Sequence, residues 1–206
     1  MIIQLSGAGK RFNRDWIFRK VTTSFESGKA YAITGPNGSG KSTLLQVIAG
    51  NMQANEGKVN WNWNGKSVDE QEVYQHISVC APYLEVIEEM TAVEFFRFHA
   101  SFKPLLPSVS INQIIDIIGL SRSVDKEIRY YSSGMKQRIK LAQAIFSDVP
   151  VLLLDEPCTN LDITGFDLYH SLIDTYCKKK LIVVSSNDVN EYNFCGEKLN
   201  ILDYKK

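Results

Sequence analysis

Residues 35–43 read Gly-Pro-Asn-Gly-Ser-Gly-Lys-Ser-Thr, a complete G-x-x-x-x-G-K-[ST] loop of the kind that cradles phosphates. The stretch before it, Ala30–Thr34, is apolar and β-prone, and Leu44–Ala49 after it has helical spacing and stops at Gly50. A strand, the loop and a helix in that order turn the pattern into a mechanism. Glycines at 35, 38 and 40 let backbone N–H groups approach a polyphosphate without a Cβ in the way. The N–H groups of Gly38 to Ser42 then lie at a helix start, where the peptide dipoles favour an anion. Lys41 is expected to reach the β- and γ-phosphates and the Ser42 hydroxyl to sit on Mg²⁺. Asn37, Ser39 and Thr43 complete the candidate nucleotide-contacting loop. The plain alternative, a glycine-rich turn with an incidental lysine, does not account for the flanking strand and helix.

Length and charge narrow the rest. A chain of 206 residues is one domain, or one with an inserted lobe, and buries about 70% of its unfolded surface without staples. Equal numbers of basic and acidic residues, 23 of each, give no concentrated positive face for a nucleic acid. Cysteines 80, 158, 177 and 195 show neither C-x-x-C pairing nor a zinc spacing, and read as reduced, partly buried thiols of a cytosolic protein. No apolar run of 18 residues and no signal-peptide pattern is visible. The run Lys178–Lys180 is read as a cap on the C-terminal end of a helix.

Along the chain, residues 2–6 and 17–25 are expected as strands, separated by the polar segment Lys10–Asp15. Lys58–Trp63 alternates polar with apolar and is followed by the tight-turn pair Asn64-Gly65, so a short antiparallel sheet should flank the nucleotide core. Thr91-Ala92-Val93-Glu94 is a capping box opening a helix that carries Val93, Phe95, Phe96 and Phe98, read as core of a helical lobe. Ser110 with Gln113 caps a second helix bearing Ile111, Ile114, Ile115 and Ile118, closed by Gly119. Further helices are predicted from about Gly134 to Phe146 and over 163–177, with a last core strand at Leu181–Ser185.

Val151–Leu154 is too continuously apolar for a half-exposed strand and reads as a central parallel strand. It ends in two acids. Asp155 suits a Mg²⁺ position through water, completing the shell begun by Ser42. Glu156, just past the strand, suits polarising a water for attack on a γ-phosphate. A helix N-cap is the structural alternative for such a pair.

Together with Tyr131-Ser132-Ser133-Gly134-Met135-Lys136-Gln137-Arg138, these features make the chain resemble the ATP-binding subunit of an ATP-binding-cassette (ABC) transporter along nearly its whole length. That segment stands where the family has its L-S-G-G-Q signature; Ser132 and Gly134 match, and Ser133 and Met135 depart. The resemblance implies an α/β phosphate-loop NTPase core of parallel strands at 1–82 and 136–206, a flanking antiparallel β region, and an inserted helical lobe at 83–135. It implies a head-to-tail dimer in which ATP is sandwiched between the loop of one copy and the signature of the other. Asn160-Leu161-Asp162 resembles the loop through which the subunits communicate. Phe12 stands where the family stacks an aromatic ring on adenine, with Trp16 an alternative platform.

Two positions depart from the family. Pro82 falls where the family carries a glutamine that contacts Mg²⁺ and the attacking water, leaving that contact absent or supplied by Glu85 or a water. Asn187 replaces the switch histidine and can donate to the γ-phosphate but cannot become a cation. With Lys41, Ser42, Asp155 and Glu156 retained, the expectation is slow Mg²⁺-dependent ATP hydrolysis. The resemblance further implies pairing with an identical or related ATP-binding chain, docking on integral membrane permease subunits, and a peripheral place on the cytoplasmic face of the membrane. The form of the signature leans toward export. The competing reading is a soluble ATP-dependent switch that regulates or assembles a complex without moving a solute.

Overall fold

The computed structural model describes residues 1–205. In chain order the elements are β1 (Ile2–Phe12), β2 (Asp15–Glu26), β3 (Ala30–Thr34), α1 (Lys41–Ile48), β4 (Glu56–Trp63), β5 (Lys66–Val68), β6 (Ile77–Cys80), α2 (Ala92–Phe102) and α3 (Ile111–Ile117). There follow α4 (Ser133–Phe146), β7 (Val151–Asp155), α5 (Ile163–Tyr176), β8 (Leu181–Ser185), α6 (Val189–Tyr192) and β9 (Glu197–Asn200). The chain divides into two compact units, one of residues 1–77, 149–156 and 179–206, the other of residues 78–148 and 157–178.

The first unit holds two sheets. One is antiparallel, in the order β2-β1-β4-β5. Ile3 and Leu5 on β1, Phe18, Val21 and Phe25 on β2, and Trp61 on β4 are buried, with the period-two alternation kept on β1 and interrupted on β2 by a shift of register. Both β1 and β2 run well past the expected ends, because only Asn13 and Arg14 separate them and Lys10–Phe12 pairs with Asp15–Phe18. Asn64 and Gly65 both take positive φ, 52° and 78°, as a two-residue hairpin turn requires. The other sheet is parallel, with β7 beside β8, β8 beside β3 and β3 beside β9. All five residues of β7 and all five of β8 are buried, the pattern of strands covered on both faces. Its register brings Asp155 opposite Ser185, at the ends from which the functional loops leave.

The second unit is largely helical. Thr91 and Glu94 close a reciprocal capping box at the start of α2, and Ser110 and Gln113 close another at α3. Phe95 and Phe96 of α2 are buried with Ile114, Ile115 and Ile118. Phe98 is not core as expected. It is 44% exposed and stacks edge-on against Phe102 at 5.0 Å between centroids. The helix period explains this: the buried stripe runs through Ala92, Phe95 and Phe96, and at 3.6 residues per turn Phe98 lies about 200° round the helix from Phe96, at the edge of that stripe. His99, one position further, turns inward: Nε2 lies 2.9 Å from the Ser147 hydroxyl and Nδ1 3.1 Å from the Gln143 amide. Desolvation by burial, with Lys103 nearby, lowers its pKa to about 4.

Of the 178–180 run, Lys178 is exposed and pairs with Asp174 at 3.5 Å across one turn, whereas Lys180 is buried. The run therefore divides between a surface pair and the buried approach to β8. All four cysteines are buried thiols outside any disulfide.

Candidate functional site

The phosphate loop lies in the first unit, between β3 and α1, as the sequence predicts. Its glycines are there for lack of room as well as for flexibility. Gly40 has φ 99°, and a Cβ on it would run into the Ile17 side chain of β2. Gly35 has φ 147°, and its Cβ would come within 2.7 Å of Ile201 Cγ2 and 2.8 Å of Ser39 Oγ. β2 and the C-terminal turn thus press against the two ends of the loop. Lys41 is only 4% exposed, and its ammonium donates to the Pro36 carbonyl at 3.2 Å. Ser42 and Thr43 follow it in the first turn of α1. Ser39 is buried with no hydrogen-bond partner for its hydroxyl among the described residues. An unsatisfied buried hydroxyl is costly, and in this loop it is a polar atom open to a ligand.

The acids sit at the end of β7. Asp155 is 2% exposed and accepts a 2.7 Å hydrogen bond from the Ser185 hydroxyl. Glu156 leaves the strand with φ 42°, a left-handed conformation that costs a side-chain-bearing residue about 1–2 kcal/mol. Its N–H donates to the Ser185 carbonyl at 2.9 Å, so the strained residue is held by the neighbouring strand. Asn187 is exposed, two residues past the end of β8.

Of the two candidate aromatic platforms, Phe12 is 47% exposed, with Lys10 Nζ 5.7 Å from its ring centre. Trp16 already carries two guanidinium groups, Arg19 at 4.2 Å and Arg11 at 5.5 Å. Arg19 is in turn forked by the Glu56 carboxylate at 3.1 and 2.7 Å. That hydrogen-bonded contact raises the guanidinium pKa and lowers that of Glu56. Phe12 is therefore the more accessible ring.

The signature segment lies in the second unit. Ser132 caps α4 by accepting the Met135 N–H at 3.3 Å, and Ser133 opens the helix. Gly134 packs so closely on the next loop that a Cβ would stand 3.1 Å from the Asn160 carbonyl oxygen. Asp162 caps α5, accepting the Gly165 N–H and the Thr164 hydroxyl at 2.9 Å each. The Gly165 N–H first, then Thr164, hold its carboxyl below the usual carboxylate range. Arg138 joins three elements, donating to the Ile118 carbonyl and to Thr164 and lying 3.7 Å from Asp162. These groups line an open cavity of ≈ 440 Å³ that includes Ser132, Gly134 and Asn160. Gln137 is buried and donates to the Pro157 carbonyl at 2.6 Å. Pro82 is exposed; its carbonyl accepts from Lys140 at 3.3 Å, and Glu85 is exposed nearby in sequence.

Sequence reasoning missed Ser185, Gln137 and Arg138 as parts of these sites. A serine ending an otherwise apolar strand was the one visible signal for the first. The other two stand in the signature segment, where no role of their own was legible.

The sequence profile of the ABC transporter family matches residues 18–159, more than two thirds of the chain. The chain belongs to that family. Among curated proteins it is 30% identical to ABC transporter A family member 11 of Dictyostelium discoideum, over 98% of this chain and 25% of that one. It is 28% identical to the cytochrome c biogenesis ATP-binding export protein CcmA of Haemophilus influenzae, over 92% of this chain and 90% of that one. The chain spans a quarter of the Dictyostelium protein, and 66% and 53% of two Bacillus subtilis ABC transporter ATP-binding proteins. Among solved structures, a dimeric form of the ABC transporter cassette MJ0796 covers 97% of this chain and 94% of its own, with 22% identity and a TM-score of 0.81. The α/β fold with a parallel core and an antiparallel sheet is thus that of the ABC cassettes.

Proposed function

We propose that this ABC family chain binds MgATP, hydrolyses it, and couples closure of an ATP-bound dimer to transport through separate membrane-spanning partners. The observation that carries the reading is that the loop bearing Lys41 and Ser42, after β3, and the acids Asp155 and Glu156, at the end of β7, leave the same C-terminal edge of one parallel sheet within one unit. The groups present fit the ligand. Ser39 offers an unsatisfied buried hydroxyl, the glycines keep the loop free of Cβ atoms, and the acid and hydroxyl are hard oxygen donors. Among the described residues no cluster of three or more His, Cys, Asp or Glu could hold a metal. That accords with an ion held by one carboxylate, one hydroxyl, phosphate oxygens and water, as Mg²⁺ prefers.

When bound, Mg²⁺ would be held by the Ser42 hydroxyl and, through water, by Asp155, and would supply positive charge to offset that developing on the phosphates. Lys41 turns from the Pro36 carbonyl to the β/γ-phosphates. Asp155 and Ser42 orient the hydrated ion, and Glu156 accepts a proton from the attacking water. Phe12 stacks on the adenine. Ser132, Gly134 and the Asp162 loop meet the γ-phosphate of ATP held by a second copy or a related chain, which puts a hydroxyl and a helix start against the anion. The organisation proposed is a nucleotide core at 1–82 and 136–206 with a helical lobe at 83–135. No described helix is long and apolar enough to cross a membrane, so transport requires permease subunits and a peripheral place on the cytoplasmic side. Export is favoured by the form of the signature and by the likeness to CcmA.

Hydrolysis is proposed to be slow, because Pro82 and Asn187 replace a glutamine and a histidine. Loss of one preorganised contact costs about 10²–10³ in rate. Restoring both, Pro82→Gln with Asn187→His, is expected to raise phosphate release; an unchanged rate breaks this part of the reading. The wider test uses Lys41→Ala, which should remove MgATP binding, and Glu156→Gln, which should give an ATP-dependent dimer by sedimentation. Wild-type turnover no greater than that of Lys41→Ala would leave a nucleotide-gated switch in place of an ATPase.

A further inference from the structure

Ser185 makes two of its three polar groups available to the two acids at once. Its hydroxyl donates to Asp155 Oδ1 at 2.7 Å, and its carbonyl accepts the Glu156 N–H at 2.9 Å. It is fully buried, paired directly with Asp155 in the register of β7 on β8, and belongs to no part of the phosphate loop or signature. We infer that Ser185 is a positioning residue for the divalent cation: its hydroxyl fixes the rotamer of Asp155 so that one carboxylate oxygen is spent on the serine and the other stays free for the hydrated ion.

The physical case rests on burial and valence. A carboxylate that is 2% exposed has lost nearly all its water, and a hydroxyl at 2.7 Å supplies a charge-assisted hydrogen bond in its place. Asp155 χ2 is a broad torsion, so without a donor the plane of the carboxylate would swing at little cost. With Oδ1 tied to β8, Asp155 would have one oxygen left for Mg²⁺ or a water on it, which suits an ion that keeps most of its waters. Partners that orient a metal-binding group typically contribute about 10–100-fold to metal affinity. The Ser185 carbonyl adds a second restraint, holding the left-handed Glu156 at a fixed offset from Asp155. The inference rests on the proposed MgATP reading of this site.

The test compares Ser185→Thr, which keeps the hydroxyl, with Ser185→Val, which has nearly the same shape without it; Ser185→Ala substitutes should the valine variant not fold. Binding of a fluorescent ATP analogue is titrated with Mg²⁺ and repeated in EDTA. We expect the threonine protein to keep the wild-type Mg²⁺ midpoint. The valine or alanine protein should need about 10–100-fold more Mg²⁺ while its affinity in EDTA stays unchanged. Equal Mg²⁺ midpoints for the hydroxyl-bearing and hydroxyl-free proteins would overturn the inference while leaving the MgATP reading intact. Wild-type affinity that ignores Mg²⁺, or an Asp155→Asn protein with an undiminished Mg²⁺ response, would overturn the reading of the site and the inference with it.

Discussion

The phosphate-loop corner and the signature corner each present a helix start, at Lys41 and at Ser133, but are built differently. In the first unit the chemistry is buried and already tied down. Lys41 rests on the Pro36 carbonyl, Asp155 on Ser185, and the glycines are wedged against Ile17 and Ile201. In the second unit Ser132, Ser133 and Asp162 are exposed, and the Ser132 and Asp162 side chains cap their helices at the surface. A corner that grips a triphosphate by itself has to be preorganised before the ligand arrives. A corner that completes someone else's ligand needs only a correctly shaped surface, and its side chains can stay in water until the partner covers them. The contrast is what a head-to-tail assembly would require.

The contrast can be broken most forcefully at Gly40. Alanine there combines a left-handed conformation with a clash against Ile17, and should cost about 2–5 kcal/mol in urea unfolding. A loss below about 1 kcal/mol would show that the loop is not wedged by β2. In the other unit, Ser132→Ala loses an N-cap and should cost only about 1 kcal/mol. In a Glu156→Gln background it should also weaken ATP-dependent association by sedimentation. A full-strength dimer would remove the signature hydroxyl from the assembly. The last effect, seen only as a change with pH, concerns His99. Its folded pKa, about 4, lies below the unfolded value of about 6.5. Between those values the unfolded chain binds the extra proton, so stability falls as pH drops from 6.5 toward 4. His99→Gln should flatten the urea midpoint over that window relative to wild type; identical slopes would mean that the imidazole is not held neutral inside the lobe.

Much of this molecule was legible in its residues. The phosphate loop, the capping boxes at Thr91 and Ser110, and the buried strand ending at Asp155 are local patterns, each specified within a handful of neighbours. β1 was under-read beyond Ser6 because Gly7, at φ 61°, and the shifts of register that follow break the alternation that marks a strand. β9 escaped notice because Glu197–Asn200 carries one apolar residue and becomes a strand only by lying parallel to β3. Phe98 looked like core because three phenylalanines in four residues suggest one face, which a helix cannot supply.

What the residues determined alone is the chemistry on offer: a lysine and hydroxyls at a helix start, two acids at a strand end, and a second helix start beginning at Ser132. These depend on spacing along the chain, and covalent connection guarantees it. What the tertiary structure decided is which groups hold those in place. Ser185 stands thirty residues from Asp155, Ile17 and Ile201 come from opposite ends of the chain to confine the loop, and Arg138 reaches α5. Such partners are chosen by strand order, register and packing, which arise only when distant segments meet. No local pattern encodes them.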